Sequence, residues 1–429
     1  MSYPSKLDRI KPRSNIYTRM PLGRLQAAAS FGGYTGHNVA KLAAKPYMVR
    51  IAMPNLTTGQ PINVGSFGFD TSFGALSSAQ DKGSLVPTWY PLTWDGATSA
   101  VSELRFNDNR PSWVWSDWVA CSPPDLADGS NGAIIHVNTR QGIAAGDQTW
   151  WSGLWTATAG SEAVATHQWR SYRSTDASVD YATTSQGSFA GSIQGGGNQV
   201  CLIQYASAIP GHTMLVIGDS ISAGMAVGAA LTANGYGWHA RTRDILSTND
   251  LPIEVCNLGW SGHTMAQAIL RYRDIAAAIP ECLLFHMAWT PNGMAQPLTS
   301  ANINTNKLGF AESLKLGYEN RCVPILQTGT PSNASVANGG SGGPSAVSLG
   351  TGDPFRTAFN TELKRANKSG HVFDVAPLLS GATITSGVAT GQIELNPLYT
   401  DLSLDGLHPN DVGYAVWASG LADFLRGKL

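Results

Sequence analysis

The strongest constraint on the fold is a change of pattern near Thr213. From there to the C-terminus, short β-rich runs alternate with longer segments of helical pattern. The runs are TMLVIGD, PIEVCNLG, ECLLFHMAW, VPILQTGTP and HVFDVAP, each nearly continuous in apolar residues. A strand with one wet face alternates between polar and apolar. A strand covered on both faces does not, and that is how strands of a parallel sheet read. Segments 264–279 and 354–369 are long enough for crossover helices. A final helix over 410–426 is expected to bury Val412, Val416, Leu421, Phe424 and Leu425. Five strand–helix units predict a doubly wound α/β domain over residues 211–429. Ligands of such sheets bind beyond the carboxyl ends of the strands.

The preceding residues obey other rules. Gly and Ser are frequent, apolar runs are short, and KPYMVRIAMPN, GAIIHVNTR and NQVCLIQYA read as strands between turn signals. Residues 31–210 therefore predict an all-β sandwich or jelly roll, with the boundary in SAIPGH, near Ala208 to Gly211. Nine of the 13 tryptophans lie in this half, in stretches such as PSWVWSDWVA and TWWSGLW. They fit either a sandwich core, the preferred reading, or a carbohydrate-stacking platform. Residues 1–30 form a basic arm in which Lys6, Arg9, Lys11, Arg13, Arg19 and Arg24 face only Asp8. A solvated terminus is expected there, and a tether to a protein partner is the other reading.

A formal net charge of -1 over 429 residues gives no electrostatic case for nucleic acid or an anionic membrane. Five cysteines without paired spacing argue against a disulfide framework or a zinc site, and four of them sit in apolar runs as core residues. MSYPSKLDRIKPRSN lacks the apolar stretch of a signal peptide, and no run reaches membrane-spanning length. A cytoplasmic location is the default expectation, although a trimmed extracellular form or a virion component would look the same. Oligomeric state is open.

The polar residues that follow the strands converge on one rim. Ser220 follows the first strand and NLGWSGHT the second. AWTPNG, with Asn292, follows the third, and DGLHPND precedes the final helix. Ser220 alone fits a helix cap as well as a nucleophile. With Asp405 and His408 at the same rim the nucleophile reading prevails. A serine hydroxyl needs a base to take its proton, and His408 has the right chemistry. Asp405, three residues earlier, can hold the imidazole in one tautomer. The backbone N–H groups of Ser220 and Gly262 and the side-chain amide of Asn292 would receive a developing oxyanion. Asp219 is expected to hydrogen-bond its own turn. His286, inside the third run, reads as a core residue. No metal cluster, phosphate loop or cofactor motif appears.

These blocks resemble the SGNH, or GDSL, hydrolase superfamily: GDS, then N-x-G-x-x-G, an asparagine after the third strand, and D-x-x-H-P. The likeness spans roughly residues 213–429. It implies a flavodoxin-like three-layer α/β/α sandwich, with Ser220 as nucleophile, His408 as base and Asp405 as orienting acid. Ser220, Gly262 and Asn292 become the oxyanion hole. The third block departs from the pattern. The family usually carries a glycine before the asparagine and an acidic residue after it, whereas this chain reads Trp289-Thr290-Pro291-Asn292-Gly293. Asn257 is a distant rival, in a block where the family commonly holds a structural asparagine.

Trp260, Trp289 and His263 flank the expected site. The tryptophans fit a sugar-stacking role and a sheet-capping role equally, and His263 fits either a substrate contact or an exposed rim. The resemblance implies a serine esterase, and the Trp-rich β half tilts the expected substrate toward an O-acetylated glycan. A lipase, thioesterase or arylesterase, or a non-catalytic glycan-binding or virion component, remains the alternative.

Overall fold

The computed structural model describes residues 14–19, 26–29, 35–55, 61–62, 65–71, 88–98, 100–101, 112–140, 148–152, 169–173, 198–199, 202–222, 224, 237–247, 251–259, 284–287, 315, 323–331, 356–365, 370–383, 385, 393–400 and 408–429. They fall into two units. One comprises Arg13–Thr213 with Ser247–Cys256, and the other Met1–Pro12, Met214–Leu246 and Asn257–Leu429. Strands are numbered β1 to β21 in chain order.

In the first unit, β11 (Ala133–Arg140) is the central strand of a five-stranded antiparallel sheet. The order is β13 (Trp169–Arg173), β3 (Thr35–Leu42), β11, β6 (Gly65–Asp70), β7 (Trp89–Pro91). Its sequence alternates, so Ala133, Ile135 and Val137 share a face with Ala40, Leu42, Phe67 and Phe69. A second antiparallel array supplies the opposing layer. In it β15 (Leu202–Ile217) lies between β1 (Ser14–Arg19) and β4 (Pro46–Asn55), and β4 also carries β9 (Ser112–Trp115) and β10 (Val119–Ala120). Tyr17, Val49, Ile51, Ile203 and Tyr205 of this array join the same buried core. Tyr17 and Tyr205 stack with centroids 4.9 Å apart. Smaller pairings also occur: β12 (Gln148–Ser152) with both β2 (Gln26–Ala29) and β14 (Asn198–Gln199), and β5 (Pro61–Ile62) with β8 (Ala100–Val101).

Glu254 is fully buried on β16 (Ile253–Asn257). Its Oε1 accepts from the Ala43 backbone N–H at 2.6 Å and the Tyr205 hydroxyl at 2.7 Å, and Arg19 Nε lies 3.6 Å from Oε2. A charge removed from water is tolerated only with such partners.

One expectation is corrected here. Residues 14–19 are a paired strand and not a solvated arm. Tyr17 is core, and Arg19, counted as surface charge, is buried against Glu254. The SAIPGH segment, where the boundary is expected, is extended strand with three exposed residues, Ala208 to Pro210, and the division between the units falls just after it, at Thr213/Met214. Gly211 fits there because a Cβ would lie 2.1 Å from the Pro252 carbonyl oxygen and 2.4 Å from the Tyr17 hydroxyl.

In the second unit, Met214 to Ile217 of β15 pair in parallel with β17 (Leu284–Met287), β17 with β18 (Val323–Gln327), and β18 with β19 (Val372–Phe373); β16 also pairs with β15. These are strands of the five apolar runs. Met214, Leu215, Val216 and Ile217 are all fully buried. Most described pairing is nevertheless antiparallel, including β20 (Ser380–Thr383) with β21 (Ile393–Leu395); the parallel ladder is confined to these strands. Residues 356–365 are helical within the expected 354–369, whereas 264–279 lies outside the described residues. Among the described residues, no helix is long and apolar enough to cross a membrane.

The terminal helix runs Asp411–Arg426, capped by Asn410, whose Oδ1 accepts from Gly413 N–H at 2.9 Å. Its buried face is Tyr414, Trp417, Ala418, Leu421, Ala422 and Leu425, at i, i+3, i+4 spacing. Val412, expected inside, is exposed, and Val416 is half-buried, because the large rings of Tyr414 and Trp417 set the phase.

Of the cysteines, Cys256 is buried, with its thiol 3.2 Å from the Thr18 carbonyl. Burial pushes the Cys121 thiol up to about 12. Replacing Glu254 by Ala is expected to cost about 3 kcal/mol, since it leaves Arg19 buried without its carboxylate. Urea unfolding followed by tryptophan fluorescence measures this, and Glu254→Gln, which keeps the acceptor, is expected to lose less.

Candidate active site

β15 ends at Ile217, and the chain turns sharply through Gly218, Asp219 and Ser220. Asp219 closes the turn, its Oδ1 accepting from Ile221 N–H at 2.9 Å, as expected for a carboxylate two residues back. Gly224 follows at φ 85° and donates to the Ile221 carbonyl at 3.1 Å. A Cβ on Gly237 would lie 2.8 Å from the Gly224 Cα, so the start of the next helix presses directly on this turn.

Ser220 Oγ lies 2.9 Å from His408 Nε2. The two are 188 positions apart in sequence and only 5% and 9% exposed. His408 is fixed through its backbone. Thr400 Oγ1 donates to the His408 carbonyl at 2.9 Å, Asn410 N–H donates to Tyr399 O at 2.7 Å, and Asn410 Nδ2 donates to Leu398 O at 3.0 Å. Gly413 is packed against Tyr399, whose carbonyl oxygen a Cβ would meet at 2.8 Å. The terminal helix is held in turn by the helix Trp238–Ser247. Trp238 and Trp417 stack at 5.3 Å with rings 4° from parallel, Thr242 Oγ1 reaches the Ala418 carbonyl at 3.3 Å, and Arg241 pairs with Asp411 at 2.8 Å. The Tyr414 hydroxyl donates to Ile221 O at 3.3 Å, tying helix to nucleophile turn.

Several solved structures are similar to part of this chain. The likeness is to GDSL-type hydrolases. Solved structures similar to this chain include a GDSL-like lipase from Bacteroides thetaiotaomicron, 19% identical, covering 51% of this chain and 89% of its own, with TM-score 0.36. A lipase/acylhydrolase from Enterococcus faecalis is 16% identical, covering 51% and 97%, with TM-score 0.36. An acetylxylan esterase from Geobacillus stearothermophilus is 18% identical, covering 50% and 94%, with TM-score 0.35. The likeness to GDSL-type structures thus extends over about half of this chain. No family model matches the chain, and no curated protein matches it in sequence.

Of the residues singled out in the sequence, Ser220 and His408 are brought together. Asp405, Gly262, Asn292, Trp260, Trp289 and His263 lie outside the described residues. The side chain of His286, on β17, does too. The loop leading toward Gly262 is described as far as Gly259. Leu258 N–H donates to Val216 O at 2.7 Å, and Asn257 Oδ1 accepts from Gly259 N–H at 2.9 Å. Asn257 Nδ2 then points at His239 Nε2, 2.8 Å away, which makes that nitrogen the acceptor. Asn257 is thus occupied in shaping the loop. His239 and Thr400 are supports that no spacing in the sequence marked. Among the described residues, no group of three or more His, Cys, Asp or Glu is placed to hold a metal.

The Trp238–Trp417 stack is expected to carry the helix pair. Trp417→Ala removes it together with the Nε1–H bond to Gln327 Oε1 at 3.0 Å. A loss of about 4 kcal/mol is expected, the range for emptying a buried indole site, and thermal or urea unfolding measures it.

Proposed function

We propose that the protein is a serine ester hydrolase that works through an acyl-enzyme and removes O-acetyl groups from a polysaccharide. The observation that carries the proposal is the 2.9 Å approach of His408 Nε2 to Ser220 Oγ at the carboxyl end of a parallel strand. In this reading Ser220 Oγ attacks the acetyl carbonyl while His408 Nε2 takes its proton. The tetrahedral oxyanion is received by the Ser220 and Gly262 N–H groups and the Asn292 amide. Each such donor is worth about 3 kcal/mol in the transition state. His408 gives the proton to the leaving sugar alkoxide. A water deprotonated by the same imidazole then attacks the acyl carbonyl, and acetate leaves as His408 returns that proton to Ser220 Oγ. Asp405 accepts from His408 Nδ1 and keeps the imidazole in the productive tautomer.

The proposal includes a fold. The order β16, β15, β17, β18, β19 supports a flavodoxin-like three-layer sandwich. The two-layer packing of the first unit supports a sandwich or jelly-roll accessory domain over residues 31–210. The glycan preference rests on the tryptophan-rich half of the chain and on Trp260 and Trp289, which follow the second and third apolar runs in the sequence.

The test is acetate release from acetylated xylan, pectin and capsular polysaccharide, with p-nitrophenyl acetate alongside. Ser220→Ala is expected to lower kcat by at least about 10⁴-fold on all of them. On p-nitrophenyl esters, kcat/KM is expected to drop steeply beyond acetyl. A preference for octanoyl or longer would overturn the acetyl assignment while leaving the serine mechanism standing.

A further inference from the structure

Arg50 of β4 stands between two tryptophans. Its guanidinium carbon is 4.3 Å from the centroid of the Trp115 ring and 4.7 Å from that of Trp118. All three side chains are half-buried and so partly open to solvent. The arginine is also fixed by hydrogen bonds. Its Nε donates to Gln204 Oε1 at 2.7 Å, and Gln204 Nε2 donates to Thr18 Oγ1 at 3.1 Å, which fixes the orientation of the amide. The tryptophans have rigid seats. Trp115 lies on β9, opposite Ala52 of β4. Trp118 follows a short turn pinned by Ser116, which exchanges bonds with the Ile51 backbone at 2.8 and 2.9 Å.

What the arginine lacks is a counter-charge. Asp117 sits beside Trp118 in sequence, but its carboxylate is taken up by Thr93 Oγ1 and the N–H groups of Asp95 and Gly96. Those donors, Gly96 first, hold it below the usual carboxylate range. Among the described residues, neither η nitrogen of Arg50 has an acceptor and no carboxylate reaches it. Burial lowers its pKa from its ordinary value. A half-buried guanidinium with its fork unoccupied is preorganised for a bidentate carboxylate. Flanking indoles add flat faces suited to the C–H face of a sugar ring.

We infer that Arg50, Trp115 and Trp118 form a binding site for an acidic saccharide, with the uronate carboxylate on the η nitrogens of Arg50 and the pyranose against the indoles. An acidic peptide satisfies the charge but offers no ring for the two tryptophans. The site is independent of the chemistry at Ser220, and its test needs no turnover.

Tetragalacturonate, which carries no ester, is titrated into the full chain and binding is read by tryptophan fluorescence and calorimetry. Cellotetraose serves as neutral control and tetraglutamate as acidic peptide. Saturable binding of tetragalacturonate is expected, at least tenfold tighter than of either control and weakened by added salt. Arg50→Gln is expected to weaken it at least tenfold, and Arg50→Lys less, since charge remains without the fork. Thermal unfolding of each variant registers folding, and Trp118→Ala gives a second reading should Arg50→Gln unfold. Equal binding of cellotetraose, tighter binding of tetraglutamate, unchanged affinity in folded Arg50→Gln, or no binding at millimolar concentration would each overturn the assignment. Binding in Ser220→Ala equal to the parent is expected, so a failure of the esterase reading stays separate from a failure here.

Discussion

The stacked pair Trp238–Trp417 is the contact on which the candidate site depends. Both indoles are fully buried and nearly parallel, so they fix the rotation of the terminal helix about its own axis as well as its distance. With that rotation set, Tyr414 points at the nucleophile turn and Asn410 begins the helix beside Leu398 and Tyr399. His408 then has little freedom left. A hydrogen bond between side chains 188 residues apart is a consequence of helix packing, and a shift of one helical position would abolish it.

The first unit solves a different problem, the burial of polar groups inside a β layer. The two faces of β11 show it. Ile135 and Val137 enter the apolar core, whereas His136 and Asn138 on the reverse are equally buried and meet His37 and Asp70. Glu254 shows the same economy on the other array, where one carboxylate serves a backbone N–H, a tyrosine hydroxyl and an arginine. Buried polar groups of this kind stabilise only when every member is satisfied, so they fix strand register more sharply than apolar packing does. Against that background Arg50, a charge with no carboxylate among the described residues, stands apart.

How much of this was legible in the sequence follows from which signals are local. The parallel strands were readable because burial on both faces removes polar residues from a whole run, as in Met214 to Ile217. Ser220 and His408 were readable because each adjoins a recognisable element end, Ser220 after a strand and His408 before a helix. The strand at Ser14–Arg19 was not, because its arginine looks like surface charge until Glu254 is placed beside it. The boundary read at SAIPGH lies beside the division between the units at Thr213/Met214, but that the segment itself is strand depends on neighbours from elsewhere in the chain. The phase of the terminal helix failed for a similar reason. Val412 and Val416 are apolar, but a helix rotates to bury its largest rings, and Trp417 and Tyr414 outweigh two valines. His239 carries no sequence signal, because its hydrogen bond is to Asn257, 18 positions away.

The backbone around His408 also limits where Asp405 can be. Thr400 and His408 are joined by a 2.9 Å hydrogen bond, so the chain between them leaves and returns to one place. Three residues of fully extended chain reach at most about 10 Å, so Asp405 stays within that distance of His408 whatever path the intervening residues take. His408 Nε2 is engaged by Ser220, and in the proposed reading Asp405 orients the ring through Nδ1, since an imidazole open to either tautomer is a poor base. The closure at Thr400 holds the His408 backbone as the tryptophan stack holds the helix. Chain length alone turns the three-residue spacing of Asp405 and His408 into a short, bounded distance in space.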